Sequence, residues 1–215
     1  MSKIKLIVRE SGRNNPVPVV RQVLDQALVE SICAANDAFI GQCITPPTRL
    51  SASAQALPTQ IIEALSQLDR VERRRIAAMP FTLFSMRFTD AAYWRNLLDR
   101  PSLGSRRAAA GDADARTAVF LAWHLVQASP ATASMAMGMS ADVASIFQWI
   151  PLYDVERLGA LANPALTPRW PTTLAFWHQL LAAAKSTQAV DGARFFGLQL
   201  LAAECLPERR SRPRD

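Results

Sequence analysis

Two histidines are the side chains of this 215-residue chain best suited to acid–base chemistry near neutral pH. His124 lies inside the apolar run 119–126, and His178 follows Trp177 in a stretch with helical periodicity. Both settings favour packed helical residues over a catalytic acid or base. No zinc-protease, serine-hydrolase, phosphate-loop or dinucleotide motif accompanies them.

The carboxylates do not form a recognisable catalytic pair either. Asp112 and Asp114 belong to a segment rich in Gly, Ala and charge that is typical of a linker. Asp154 and Glu156 are two residues apart, so on a helix they point to different faces. We therefore expect a protein that is not an enzyme and that uses neither a cofactor nor a metal.

Cysteine usage and hydropathy favour a soluble cytoplasmic protein. The cysteines are odd in number, far apart and without CxxC spacing: Cys33, Cys43 and Cys205. The apolar run near the N-terminus is far shorter than the roughly 7–15 residues of a signal peptide. The run 119–126 falls well below the roughly 18–20 residues of a membrane span, so we expect no membrane association.

Apolar periodicity predicts a predominantly all-α fold, a helical bundle. Residues 19–40 carry the i, i+3, i+4, i+7 stripe of an amphipathic helix, and residues 81–88 alternate loosely, which is compatible with a short buried strand. Turn chemistry separates the helical stretches at 11–18, 42–58, 100–114 and 163–171. The domains predicted are 1–110, an N-terminal helical region of unknown role; 111–206, a helical bundle; and 207–215, a disordered basic tail.

Capping residues subdivide the second half into short helices. Ser129 and Pro130 begin one helix, Gly138 ends it, and Ser140 caps the next, which Pro151 stops. A further helix is expected to begin at Pro171. Periodicity places the following side chains in the core of 117–206: Leu121, Leu125, Val143, Phe147, Leu158, Phe176, Leu180 and Leu201.

The pair of short helices over residues 131–150 has the layout of a helix-turn-helix. A physical objection stands against DNA reading by this segment alone. Between Arg107 and Arg157 the only basic residue is Arg116, whereas affinity for DNA comes mainly from cations on phosphates. A plain helical hairpin remains the alternative.

The same segment resembles a known family. The residues concerned are Leu125-Val126-Gln127, the run from Ala131 to Ser140, Ala144, Leu152, Val155, and Leu158 through Ala162. Together they resemble the core of the FlhD-like family of flagellar transcriptional activators over about residues 122–162. That family has Leu-Ile-Gln followed by Ala-Ser-Ala-Met-Phe-Arg-Leu-Gly-Ile. The resemblance implies a bacterial, helical, dimerising protein that activates transcription with a second, zinc-binding activator subunit.

Two functions follow, and the sequence leaves both open. The first is a transcriptional regulator subunit that forms a homo-oligomer and binds DNA together with a partner subunit. The second is a helical adaptor or secretion-accessory protein that holds a partner protein without a nucleic-acid role. The residues predicted to bind DNA are Ser140, Ser145, Gln148, Arg157 and Arg169, and those predicted at a partner interface are Met135, Met137, Met139 and Trp149.

The charge balance is compatible with either function. The chain has 24 basic and 18 acidic residues, a net charge of +6, and its cations are nearly all arginine. Arginines cluster at Arg70, Arg73, Arg74 and Arg75 on a predicted helix. Such a cluster can bind phosphates or carboxylates, and it can equally compensate a helix C-terminus.

Overall fold

The computed structural model describes residues 26–45, 57–100, 112–162 and 165–205. These form a mostly helical fold, as predicted, with one two-stranded sheet. The helices are α1 (Gln26–Ile44), α2 (Thr59–Ser66), α3 (Arg70–Ala77), α4 (Ala91–Leu98), α5 (Asp112–Ala128), α6 (Pro130–Met137), α7 (Ala141–Gln148), α8 (Leu152–Ala162), α9 (Leu174–Lys185) and α10 (Val190–Cys205). A 3-10 turn, Thr187–Ala189, precedes α10.

The sheet pairs two strands that lie far apart in the sequence. Strand β1 (Phe84–Ser85) runs antiparallel to β2 (Thr167–Pro168), with Phe84 opposite Pro168. The strand expected within 81–88 is therefore confirmed. Pro168 occupies an edge position, where a missing backbone N–H is tolerated.

A buried asparagine organises the loop between α3 and β1. The Asn36 amide donates to the carbonyl oxygens of Ala77 and Phe81, at 3.1 Å and 2.9 Å. Its own carbonyl oxygen accepts the Leu83 N–H at 2.8 Å. Because Asn36 is fully buried, these bonds satisfy backbone groups that water does not reach. Helix α1 thereby fixes the path of the chain into β1.

The predicted core of residues 117–206 is confirmed. All eight side chains named from periodicity are buried, and the elements around them are helices α5 to α10. Three expected boundaries were wrong: α1 continues to Ile44 inside the predicted turn segment 42–58, α5 begins at Asp112 inside the predicted linker 100–114, and α9 begins at Leu174 rather than Pro171. Trp170 adopts a left-handed backbone with φ of 49°, and the turn that follows it occupies the intervening residues.

The described parts of the two predicted domains share one hydrophobic core. Helix α3 packs on α9, and α1 packs on α5. The boundary expected at residue 110, the predicted start of α1 at residue 19 and the predicted disordered tail 207–215 lie outside the described residues.

Helices α5 and α8 approach each other closely. A Cβ atom at Gly159 of α8 would lie 2.6 Å from the Cα atom of Arg116 on α5. Glycine is therefore the residue that permits this contact. One turn away, Arg116 pairs with Glu156 at 3.5 Å. The close packing fixes both walls of the groove described below.

Candidate protein-interaction surface

The helix-turn-helix-like segment forms as its capping residues predict. The Ser129 hydroxyl accepts the Thr132 N–H at the start of α6, and Gly138 ends α6 with a left-handed φ of 62°. The Ser140 hydroxyl accepts the Val143 N–H at the start of α7. Both caps satisfy backbone donors that a helix start leaves unpaired.

The methionines around this turn do not share one surface. Met135 is 52% exposed, whereas Met137 and Met139 are fully buried. A Cβ atom at Gly138 would lie within 3.2 Å of Leu201 and Glu204, so the turn packs beneath α10. The prediction that Met137 and Met139 form a partner interface is therefore corrected: their side chains pack inside the chain and leave no surface for a partner.

The polar residues predicted to read DNA lie on or near the outer face of α7. Ser145 and Gln148 are exposed, while Ser140 is half-buried and serves as the cap. The Ser145 hydroxyl donates to the Ala141 carbonyl oxygen at 2.9 Å. The charged side chain on this helix is Asp142, which is exposed. Helix α7 thus presents hydroxyl, amide and carboxylate groups and no cation.

Arg157 is occupied by contacts within the chain. Its Nε donates to an Asp154 carboxylate oxygen at 2.8 Å, and its terminal nitrogens donate to the carbonyl oxygens of Leu98 and Arg100, at 3.3 Å and 2.7 Å. Leu98 is the last residue of α4. Arg157 therefore ties the end of α4 to α8, and only about a fifth of its side chain, 19%, is exposed.

Arg169 is buried, which corrects its prediction as a DNA contact. It donates a hydrogen bond to the Met137 carbonyl oxygen, lies 3.9 Å from a Glu204 carboxylate oxygen, and packs over the Trp170 ring at 5.5 Å. With 1% of the residue exposed, its guanidinium has no access to a phosphate. Arg169 directly follows β2 in the sequence, and the pairing of β2 with β1 places its side chain in the protein interior.

Large apolar side chains are exposed around α5 and the start of α8. They are Trp149 (83% exposed), Tyr153 (79%), Leu152 (58%) and Phe120 (51%). Trp123 links them: its ring lies 5.9 Å from that of Phe120, and its Nε1 donates to the Ile150 carbonyl oxygen at 2.9 Å. We call these four exposed residues the aromatic surface. A monomeric soluble protein seldom leaves so much aromatic area in water.

A groove of about 440 Å³ lies between α5 and α8, and two residues of the aromatic surface line it. Phe120 and Leu152 form its apolar walls, and buried Val155 lies beneath them. The Arg116–Glu156 ion pair lines the same groove. The groove therefore combines an apolar part, formed by Phe120, Leu152 and Val155, with a polar part, formed by Arg116, Thr117 and Glu156. None of the residues that line the groove was predicted from the sequence as an interface residue. Whether a side chain is exposed depends on which other elements pack beside it in the fold.

The arginine cluster of α3 is divided between internal and external contacts. Arg75 donates to the Ala184 carbonyl oxygen near the end of α9, whereas Arg70 and Arg74 are exposed. Lys185 pairs with Glu72 at 2.8 Å on the same side of the molecule. This arrangement leaves a modest cationic surface, interrupted by the acidic cap residues Asp69 and Glu72.

The two cysteine thiols described by the structure, Cys33 and Cys43, are not activated as nucleophiles. Burial raises the pKa of the Cys43 thiol to about 12, and burial together with Asp37 raises that of Cys33. A thiol with a raised pKa holds little thiolate at neutral pH. His124 and His178 lie in helices α5 and α9, as predicted, but they are exposed, so the expectation that they are packed was wrong. No three His, Cys, Asp or Glu side chains in the described ranges are grouped as metal ligands would be.

Comparison of the chain with protein-family models, with curated proteins and with solved structures finds no match. Within the described residues, no helix has both the length and the apolar character that crossing a membrane requires.

Proposed function

We propose that this chain is a non-catalytic helical adaptor that binds an amphipathic helix of a partner protein in the groove between α5 and α8. The observation that carries the proposal is the aromatic surface, with Phe120 and Leu152 on either side of an apolar groove. A partner helix with apolar residues at i, i+3, i+4 and i+7 is the ligand that such a groove accepts.

The aromatic side chains expose a sizeable part of the area that a specific contact uses. An aromatic side chain carries about 150–250 Å², so Phe120, Trp149 and Tyr153 together expose about 400 Å² at their observed fractions. A standard interface uses about 800 Å² from each partner. The three aromatic side chains thus supply about half of that area, and Leu152 with the groove rim adds to it.

The polar groups around the groove favour a partner helix with mixed charge. Arg116 is 33% exposed and Glu156 is 79% exposed, so each keeps bonding capacity toward solvent. A partner helix with an acidic and a basic residue beside its apolar stripe could form ion pairs with Arg116 and Glu156. Partner charges at such a rim act mainly on specificity and on the association rate.

The test is a selection from a displayed library of amphipathic helices with randomised apolar positions, followed by titration of the selected peptides. Phe120→Asp should weaken their binding at least about tenfold, because it places a charge in an apolar wall. His178→Asp, on an exposed position of α9, is the matched control and should leave binding unchanged. Selection of no helix, or equal loss in both variants, would contradict the proposal.

Binding of DNA as a transcriptional regulator subunit with a partner activator is the second candidate. It is favoured by the α6–turn–α7 layout with Ser145 and Gln148 exposed, and by exposed Arg70 and Arg74 on α3. If these arginines contact phosphates, the logarithm of the DNA affinity should fall linearly with the logarithm of the salt concentration, with a slope of about −0.9 per contact. Mobility-shift measurements with Arg70→Ala and Arg74→Ala, at two salt concentrations, test it. Unchanged binding in both variants would exclude α3 from the contact.

A further inference from the structure

The turn between α7 and α8, residues 148–151, carries the most exposed member of the aromatic surface. Trp149 is 83% exposed, so its side chain has little protein around it to fix its position. The next residue, Ile150, is buried, and Pro151 is exposed. The placement of the Trp149 ring therefore depends on what holds the backbone of the turn.

A side chain of α5 holds the backbone just before Trp149. The Gln127 amide nitrogen donates to the Gln148 carbonyl oxygen at 3.2 Å and to that of Phe147 at 3.4 Å. Gln148 is the last residue of α7, and the final carbonyl groups of a helix have no partner within it. Gln127 therefore supplies a donor that the end of α7 lacks.

A second side chain of α5 holds the backbone just after Trp149. The Trp123 indole nitrogen donates to the Ile150 carbonyl oxygen at 2.9 Å. Residues 123 and 127 are four apart on α5, so both side chains leave the same face of that helix. One face of α5 thus bonds the carbonyl groups on both sides of Trp149.

We propose that Gln127, together with Trp123, is a positioning residue that holds the turn 148–151 and so places the Trp149 ring for contact with the partner helix. The inference rests on the proposed function, because it concerns how the aromatic surface binds. Gln127 does not line the groove, so it acts through the turn. A surface ordered before binding loses less conformational entropy on binding, which raises its affinity.

The first measurement uses the free chain and needs no partner. The backbone N–H groups of Trp149 and Ile150 are bonded to carbonyl groups at the end of α7. Gln127→Met keeps a side chain of similar length without the donor, so both amide protons should exchange with solvent at least about threefold faster. Gln179→Met, the same change at an exposed position of α9, should leave both rates unchanged. Unchanged exchange in Gln127→Met overturns the proposal.

The second measurement is the affinity of the full chain for a selected amphipathic helix, by titration calorimetry. Gln127→Met should raise the dissociation constant at least about threefold. The change is modest because Gln127 is exposed and water competes for the same carbonyl groups. Far-UV circular dichroism confirms that each variant folds.

Equal affinity of the wild type and Gln127→Met, or an equal loss in Gln179→Met, overturns the proposal. If the wild type binds no helix, the proposed function fails. Exchange in the free chain then still decides whether Gln127 holds the turn.

Gln127→Glu separates a hydrogen-bond donor from a side chain that only fills space. At pH 7 its carboxylate has no proton to donate, so this variant should bind the helix more weakly than the wild type. Because an ordinary glutamate has a pKa of about 4.3, protonation at pH 4 restores a donor. The ratio of the variant's dissociation constant to that of the wild type should therefore fall from pH 7 to pH 4, whereas the ratio for Gln127→Met should stay constant. A ratio for Gln127→Glu that does not change with pH overturns the role assigned to the amide.

Discussion

The guanidinium of Arg169 donates a hydrogen bond to the backbone carbonyl oxygen of Met137, the last residue of α6. The same guanidinium lies 3.9 Å from the carboxylate of Glu204 on α10. A cation at a helix C-terminus offsets the partial negative charge of the unpaired carbonyl groups there. One side chain therefore joins β2, α6 and α10 beneath the turn at Gly138.

Replacing Arg169 with Met should destabilise the fold. The change leaves the Met137 carbonyl oxygen without this buried donor, which costs about 2–3 kcal/mol for a charge-assisted bond. Urea unfolding followed by circular dichroism measures the free energy of unfolding. Arg95→Met, at an exposed arginine of α4, is the control and should change it little. Equal effects of the two substitutions would contradict the role assigned to Arg169.

Asn36→Leu should be at least as costly. The substitution keeps a similar volume but removes three hydrogen bonds, one to Ala77 at the end of α3 and two to Phe81 and Leu83 in the loop that follows. Leaving buried backbone groups unpaired costs about 1–3 kcal/mol each. We expect a loss of about 3 kcal/mol or more in the free energy of unfolding. Asp37→Leu, at the exposed neighbouring position, is the control. A loss below about 1 kcal/mol would show that water replaces the asparagine.

Acid should weaken the start of α3. The hydrogen bond from Lys185 and the backbone N–H of Asp69 lower the pKa of Glu72, and the Glu72 backbone N–H lowers the pKa of Asp69. Because both folded-state values lie below the ordinary 4.5 and 3.8, their stabilisation is present above that range. It is lost as the pH falls through the lowered values.

Glu72→Gln tests this by thermal unfolding at pH 7 and at pH 3. The variant should melt below the wild type at pH 7, and the difference should be smaller at pH 3, because the stabilisation by the carboxylate is lost progressively as the pH falls through the lowered pKa of Glu72. Glu63→Gln, at an exposed carboxylate of α2, should show no such narrowing. A difference that stays constant with pH would mean that charge does not stabilise this helix start.

Local chemistry was sufficient to predict the helix boundaries that depend on capping. Ser129 and Ser140 each accept a backbone N–H at a helix start, and Gly138 adopts the left-handed conformation that ends α6. These interactions involve residues within one turn of each other, so the sequence contains all that determines them. The spacing of the apolar residues is also a local property, and it predicted which face of each helix is buried.

Long-range contacts decided what the sequence left open. Arg169 and Met137 are 32 residues apart, and no local pattern indicates that an arginine is buried beside that carbonyl group. Met137 and Met139 flank Gly138, which packs against Leu201 and Glu204 of α10, and both methionines are buried. The groove likewise depends on the contact between Gly159 and Arg116, which joins two helices through a close approach.

The aromatic surface offers a direct measurement of the proposed partner contact. Trp94 and Trp177 are buried and Trp123 and Trp170 are half-buried, so Trp149 is the exposed tryptophan whose emission should respond most to binding. The measurement is a fluorescence titration of the full chain with a selected amphipathic helix that lacks tryptophan. We expect a saturable blue shift of the emission in the wild type, no such shift in Trp149→Phe, and little shift when the free chain is diluted. Binding of the helix with no change in emission, or with the same change in Trp149→Phe, would contradict it.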